Sequence, residues 1–165
     1  MPKSAKKRGA AAFEEYYASL YGDRWYQLKK ALLGPKHQVA RVNQFASQKD
    51  LPWQPLSEVP DRESRDSLTQ LRHYYVMDLA SCWAAELLPL PENGGEILDL
   101  CAAPGGKSLI LAERMGDHGQ LTVNELSPQR RHRLKQVLRD YVDEATLSRI
   151  DVKGHDGSRW GLYHP

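Results

Sequence analysis

The sequence predicts an α/β fold: a short parallel sheet preceded by a helical N-terminal region. Two observations carry this. From residue 96 onward, strand-length apolar runs alternate with helical stretches: "EILDL" (96–100), "GGKSLILAERM" (105–115), "GQLTVNEL" (119–126), "SPQRRHRLKQVLRDYV" (127–142) and "RIDVKGHD" (149–156). Strand-helix-strand-helix-strand order calls for parallel strands joined by right-handed crossovers. Before residue 96 the apolar residues recur at helical spacing instead, beginning with Phe13, Tyr16, Tyr17 and Leu20.

The elements come in order. Residues 1–12 read as a basic flexible tail carrying Lys3, Lys6, Lys7 and Arg8. The first helix runs from Phe13 and ends at Gly22. Asp23 caps a second helix with Trp25, Leu28 and Leu32, which Gly34-Pro35 stops. Val39, Val42 and Phe45 suggest a short third helix. Pro52, Pro55 and Pro60 make 49–66 a linker, so residues 13–66 form a helical extension and linker. A longer helix is expected from Ser67 to Leu88, with Leu68, Leu71, Tyr75, Leu79, Trp83 and Leu87 on one face and Pro89 ending it. The sheet comes next, and residues 67–165 form one domain portion. In the helix after the second strand, Ser127 is the N-cap and Pro128 takes the first turn.

Composition bounds the function. The 165 residues, 41% hydrophobic and 27% charged, suit one globular domain. No apolar run reaches the roughly 18 residues of a membrane span, so no membrane association is expected. Cys82 and Cys101 have no metal-like spacing, and the six histidines are scattered. That argues for a reducing, cytoplasmic setting and against a metal site. Net charge is only +2, but Arg130, Arg131, Arg133, Lys135 and Arg139 cluster, as the tail lysines do. Such clusters are either solvated faces or phosphate contacts.

The chemistry sits in "DLCAAPGGKS" (99–108). Gly106-Lys107-Ser108 matches the second half of a P-loop, but Cys101 stands where its first glycine belongs. Pro104 also removes an N–H that would cradle phosphate. The dinucleotide pattern G-x-G-x-x-G is absent. A third reading fits better. Gly105-Gly106 open a helix at the carboxyl end of a strand, where unpaired N–H groups suit a carboxylate. Glu125, twenty residues after Gly105, ends the second strand and can accept from both ribose hydroxyls. Asp156, followed by Gly157, ends the third and can accept from an adenine amino group. Amino-acid carboxylate, ribose and adenine together describe S-adenosylmethionine (SAM). The plain alternatives are a surface acid at Glu125, a turn residue at Asp156 and a small buried Cys101.

Three stretches resemble a known family. "LDLCAAPGGKS" is similar to the first motif of the RsmB/NOP (sun-type) RNA cytosine-C5 methyltransferases, "NELSPQRRHRL" to the second and "HDGSRWG" to the third. "YYVMDLAS" (74–81) and "YGDRWYQLKKALL" (21–33) resemble the branch that includes the mitochondrial ribosomal-RNA member. The resemblance implies a Rossmann-like class I methyltransferase fold, SAM as cofactor and RNA, ribosomal RNA foremost, as substrate. It maps cofactor contacts onto Cys101, Ala102, Ala103, Pro104, Gly105, Gly106 and Lys107, then onto Glu125, Arg130, Asp156 and Gly157. Glu125 stands where relatives carry aspartate, and Met77 where many carry glutamine.

The family's chemistry uses cysteines in Asp-x-Pro-Cys and Thr-Cys-Ser motifs on later strands, and neither motif is in this sequence. No catalytic residue is therefore assigned. The fold is expected to be incomplete, with the first three strands of a sheet of about seven, and residues 67–165 are expected to be the N-terminal half of the methyltransferase domain. Such a piece is expected to be inactive and poorly soluble alone, with an open strand edge that a chain supplying the missing half could pair with. Two other readings remain: a non-catalytic RNA- or partner-binding module, and a methyltransferase of small molecules or proteins.

Overall fold

A computed structural model describes residues 9–35, 37–46, 53–59, 61, 63–91 and 94–163. The basic residues Lys3, Lys6, Lys7 and Arg8, and Pro52 and Pro60 of the linker, lie outside the described residues. The chain divides into two compact units, residues 1–36 and 37–165.

The first unit is a pair of helices, α1 (Ala10–Tyr21) and α2 (Arg24–Leu33). Gly22, at φ +53°, ends α1 and donates its N–H to Ala18 O at 2.9 Å, as its sequence position suggests. Trp25 is buried and faces the Tyr17 ring at a centroid distance of 5.2 Å, nearly parallel to it. Its indole N–H donates to Glu14 Oε2 at 2.8 Å, and Glu14 also pairs with Lys29.

The second unit holds two three-stranded sheets. The first is antiparallel, ordered β2–β1–β3, from β1 (Gln38–Val42), β2 (Trp53–Pro55) and β3 (Tyr74–Asp78). In its register Gln38 pairs with Asp78 and Val42 with Tyr74. This sheet overturns two expectations. Val39 and Val42 lie on a strand, not on a third helix, and Val39 to Val42 are all buried. The helix expected over 67–88 is only α3, Leu79–Glu86. Before it, Asp66 Oδ1 accepts from the N–H groups of Leu68 and Thr69 at 3.0 and 2.8 Å, which bends the chain into a turn. Gln70 then adopts φ +61°. The run Tyr74-Tyr75-Val76 goes into β3, where aromatic and β-branched side chains are favoured. The linker expected over 49–66 also supplies β2 and a short 3₁₀ turn, Leu56–Glu58. The antiparallel sheet therefore runs across residue 66.

The second sheet is parallel and ordered β4–β5–β6, from β4 (Glu96–Asp99), β5 (Gln120–Asn124) and β6 (Ile150–Lys153). Helices α4 (Gly106–Arg114) and α5 (Pro128–Tyr141) make the crossovers, with α6 (Glu144–Leu147) leading into β6 and α7 (Trp160–Tyr163) after it. This is the α/β architecture expected from the sequence. Leu121, Val123, Leu109, Met115, Leu134 and Leu138 form the main core between sheet and helices. Ile110 of α4 points the other way, into a second cluster with Val39, Met77, Cys82 and Ala85. Helix α4 is thus held on both sides, which fixes the position of its N-terminus.

Candidate functional site

Three loops leave the carboxyl ends of the parallel strands, the usual position of ligands on open α/β sheets. The first, residues 100–105, enters α4. Gly105 has φ +123°, and a Cβ there would lie 3.0 Å from Val137 Cγ1 and 3.2 Å from Leu134 Cδ1. A Cβ on Gly106 would lie 2.7 Å from Tyr75 Cε1. The sequence suggested that these glycines make room for a ligand; packing by α5 and β3 already requires them. Ser108 Oγ donates to Asp99 Oδ2 at 2.7 Å and ties the first turn of α4 to β4. Ala102 and Ala103 are buried, while Pro104 and Lys107 are exposed. Cys101 is exposed rather than buried, because the chain has already turned out of β4 there.

The second loop comes after β5. Glu125 is only 5% exposed. Its Oε1 accepts from the Ser127 N–H at 2.9 Å, and its Oε2 lies 3.3 Å from Arg130 Nη1. Arg130 Nη2 donates to Ala103 O at 2.8 Å, so one guanidinium joins the first loop to the second. Ser127 Oγ accepts from the Arg130 N–H at 3.5 Å and Pro128 opens α5, the cap expected from the sequence.

The third loop comes after β6. Asp156 Oδ1 accepts from Ser158 N at 3.0 Å and Oγ at 2.8 Å, capping the short helix Gly157–Arg159. Those hydrogen bonds hold its carboxyl below the usual carboxylate range. A Cβ on Gly157 would lie 3.1 Å from Leu100 Cγ, so the first and third loops touch.

Leu100, Cys101, Glu125, Pro128, Arg130 and Asp156 line an open cleft of about 900 Å³, within the usual range for small-molecule sites. A smaller hollow, lined by Tyr75, Met77, Ser81, Asp99 and Lys107, lies on the other side of the first loop, with Cys101 shared. A buried carboxylate with lone pairs to spare, a second carboxylate and a helix N-terminus at Gly106 together suit a ligand with hydroxyl, amino and carboxylate groups. Cys82, by contrast, is buried in the second core cluster, and burial pushes its thiol up, away from the thiolate a nucleophile needs. Among the described residues no group of His, Cys, Asp or Glu could hold a metal ion.

Sequence reasoning missed two residues. Asn124 ends β5 and is 1% exposed; its one signal was a polar residue closing the apolar run of "LTVN". Arg131 was grouped with phosphate-facing cations, but its Nη1 donates to Glu125 O at 2.7 Å and to Leu126 O at 3.1 Å. The cations of α5 exposed to solvent are Arg130, Arg133, Lys135 and Arg139.

Residues 86–161 match the family described as 16S rRNA methyltransferase RsmB/F. The chain is 30% identical to the mouse 5-cytosine rRNA methyltransferase NSUN4, over 96% of this chain and 53% of that protein. It is 29% identical to the mouse mitochondrial tRNA (cytosine(34)-C(5))-methyltransferase, over 93% of this chain and 51% of that protein. The chain thus spans about half the length of these curated relatives. Among solved structures, a methyltransferase homolog from Pyrococcus horikoshii superposes with a TM-score of 0.59 at 20% identity, covering 94% of this chain and 55% of that one. That likeness shows the fold, a Rossmann-like α/β arrangement.

Proposed function

We propose, from the match of residues 86–161 to the RsmB/F methyltransferase family, that the chain belongs to that family, binds SAM and serves cytosine-C5 methylation of ribosomal RNA. The observation that carries this is one cleft lined by Cys101, Glu125 and Asp156, with the rest of the first loop and the start of α4 lining the adjoining hollow that shares Cys101. Bound there, SAM supplies an electrophilic methyl group. Glu125 accepts from the ribose hydroxyls, while Arg130 holds the glutamate in place and anchors the first loop at Ala103 O. Asp156 Oδ2, which makes none of the capping bonds, accepts from the adenine amino group. The N–H groups at the start of α4 take the amino-acid carboxylate. Arg133, Lys135 and Arg139 present positive charge to RNA phosphates.

Cys82 and Cys101 are both free thiols, which suits a reducing, cytoplasmic location. Neither is assigned as nucleophile. The cysteine motifs implied by the family resemblance lie outside this sequence, and a chain supplying the rest of the sheet could pair along an open edge.

Calorimetry with S-adenosylhomocysteine tests the cofactor reading. The chain should bind it, and Glu125→Ala should weaken binding by roughly 1–3 kcal/mol, the cost of unpaired polar groups. Equal affinity of the two proteins would count against the assignment.

A further inference from the structure

We propose that Asn124 is a positioning residue that sets the spacing of all three cofactor-binding loops. The proposal rests on the SAM reading of the cleft and goes beyond it, because Asn124 need not touch the ligand. The residue ends β5, the central strand of the parallel sheet, and is 1% exposed. Its Nδ2 donates to Leu100 O at 3.1 Å, in the loop after β4, and to His155 O at 2.9 Å, in the loop after β6. Its Oδ1 accepts from His155 N at 2.8 Å, and its own carbonyl accepts from Ala102 N at 2.9 Å. Both amide protons and the amide oxygen are used, and they reach both neighbouring loops.

The positions held are those that carry the site. Leu100 and Ala102 flank Cys101, where the first loop begins. His155 precedes Asp156, the proposed adenine acceptor. Glu125, the proposed ribose acceptor, is the residue after Asn124. One side chain therefore fixes the amino-acid, ribose and adenine arms relative to one another. The contact between Leu100 and the Gly157 backbone is a second link between the outer loops, so they close over Asn124 as a unit.

No substitution reproduces this pattern. Aspartate keeps the shape but, when ionised, places a carboxylate against the carbonyls of Leu100 and His155. When protonated it can again donate one hydrogen bond. Burial raises a carboxyl pKa, so this recovery falls in an accessible pH range.

The experiment is calorimetric titration of the full chain with S-adenosylhomocysteine, comparing wild type, Asn124→Ala and Asn124→Asp at about pH 7.5 and about pH 5.5, above and below a raised carboxyl pKa. Asn124→Ala should weaken binding about tenfold or more. Asn124→Asp should weaken it at the higher pH and regain affinity at the lower, a gain the wild type lacks. A buried ionised carboxylate also lowers stability reversibly, so urea unfolding at both pH values separates lost affinity from lost folded protein.

Amide chemical shifts provide a second measurement, independent of ligand. In Asn124→Asp, residues 100–102 and 154–156 should titrate together with one pKa. Binding in which Asn124→Asp equals wild type at both pH values would overturn the proposal. So would loops that titrate separately. If wild type binds no S-adenosylhomocysteine, the SAM reading fails, and the shared titration alone decides whether Asn124 couples the loops. If Asn124→Ala fails to fold, Asn124→Asp at the lower pH still gives the answer.

Discussion

Gly105 shows how a single position carries several demands. Its φ of +123° lies where L side chains are strained, and Val137 and Leu134 of α5 close over it at 3.0 and 3.2 Å from a notional Cβ. Gly105→Ala should therefore cost roughly 1–3 kcal/mol in urea unfolding, from backbone strain alone before any clash is counted. An unchanged midpoint would mean that the loop can relax, and that the glycine is there for a ligand after all. Glu125 and Asp156 were legible in the sequence because their spacing from the glycine loop puts them at consecutive strand ends. Asn124 was not, since its role lies in hydrogen bonds to backbone atoms of two loops about 24 and 31 residues away in sequence. No local pattern encodes such partners. Cys101 was misjudged for a related reason: strand periodicity places residues up to Asp99, and the turn after it obeys loop geometry.

Among the elements, α4 bears most on the site, because its N-terminus lines the hollow that adjoins the proposed cofactor cleft at Cys101. Core packing holds it on both sides, and a charge network holds its far end. Arg41 of β1 pairs with Glu113 through both carboxylate oxygens, with 2.8 Å at Nη1–Oε1, and its Nη2 also reaches Glu86 of α3 at 3.2 Å. The side chains of Arg41 and Glu113 are 6% and 5% exposed. Removing one partner of a buried pair strands the other charge, so Arg41→Met should destabilise the fold by about 3–5 kcal/mol. The double variant Arg41→Met, Glu113→Leu should regain most of that loss, because a well-packed apolar pair avoids desolvation altogether. Thermal unfolding of the three proteins reads this directly, and a double variant no more stable than Arg41→Met would contradict it. The same sheet marks where sequence reading was weakest. The parallel strands and both crossover helices were recognisable because local runs and caps define them. Strands β1 and β3 pair across more than thirty residues, and the chance recurrence of Leu68, Leu71, Tyr75 and Leu79 at helical spacing imitated a helix.

For the whole molecule, the parallel sheet raises the question of what covers it. Parallel sheets are usually buried on both faces. Here one face packs on α4 and α5, while Glu96, Leu98, Gln120, Thr122, Asp151 and Lys153 line a hollow on the other. Among the described residues β4 and β6 each have one neighbour, so both are edges. The open face mixes polar side chains with Leu98 and Trp160, and Lys153 pairs with Asp151 at 2.6 Å. The chain should fold and bind S-adenosylhomocysteine by itself, yet transfer no methyl group to RNA, because its buried Cys82 and its loop residue Cys101 fill no assigned catalytic position. Adding a separately expressed C-terminal half of a relative, beginning just past the matched region, should restore transfer of labelled methyl from SAM to ribosomal RNA, if sheet pairing along an open edge rebuilds the site. Steady turnover by the 165-residue chain alone, abolished by Cys82→Ser or Cys101→Ser, would make one of these thiols the nucleophile and show that further strands are not needed. No turnover in the mixture, with binding of S-adenosylhomocysteine intact, would keep the cofactor site and reject assembly from two chains.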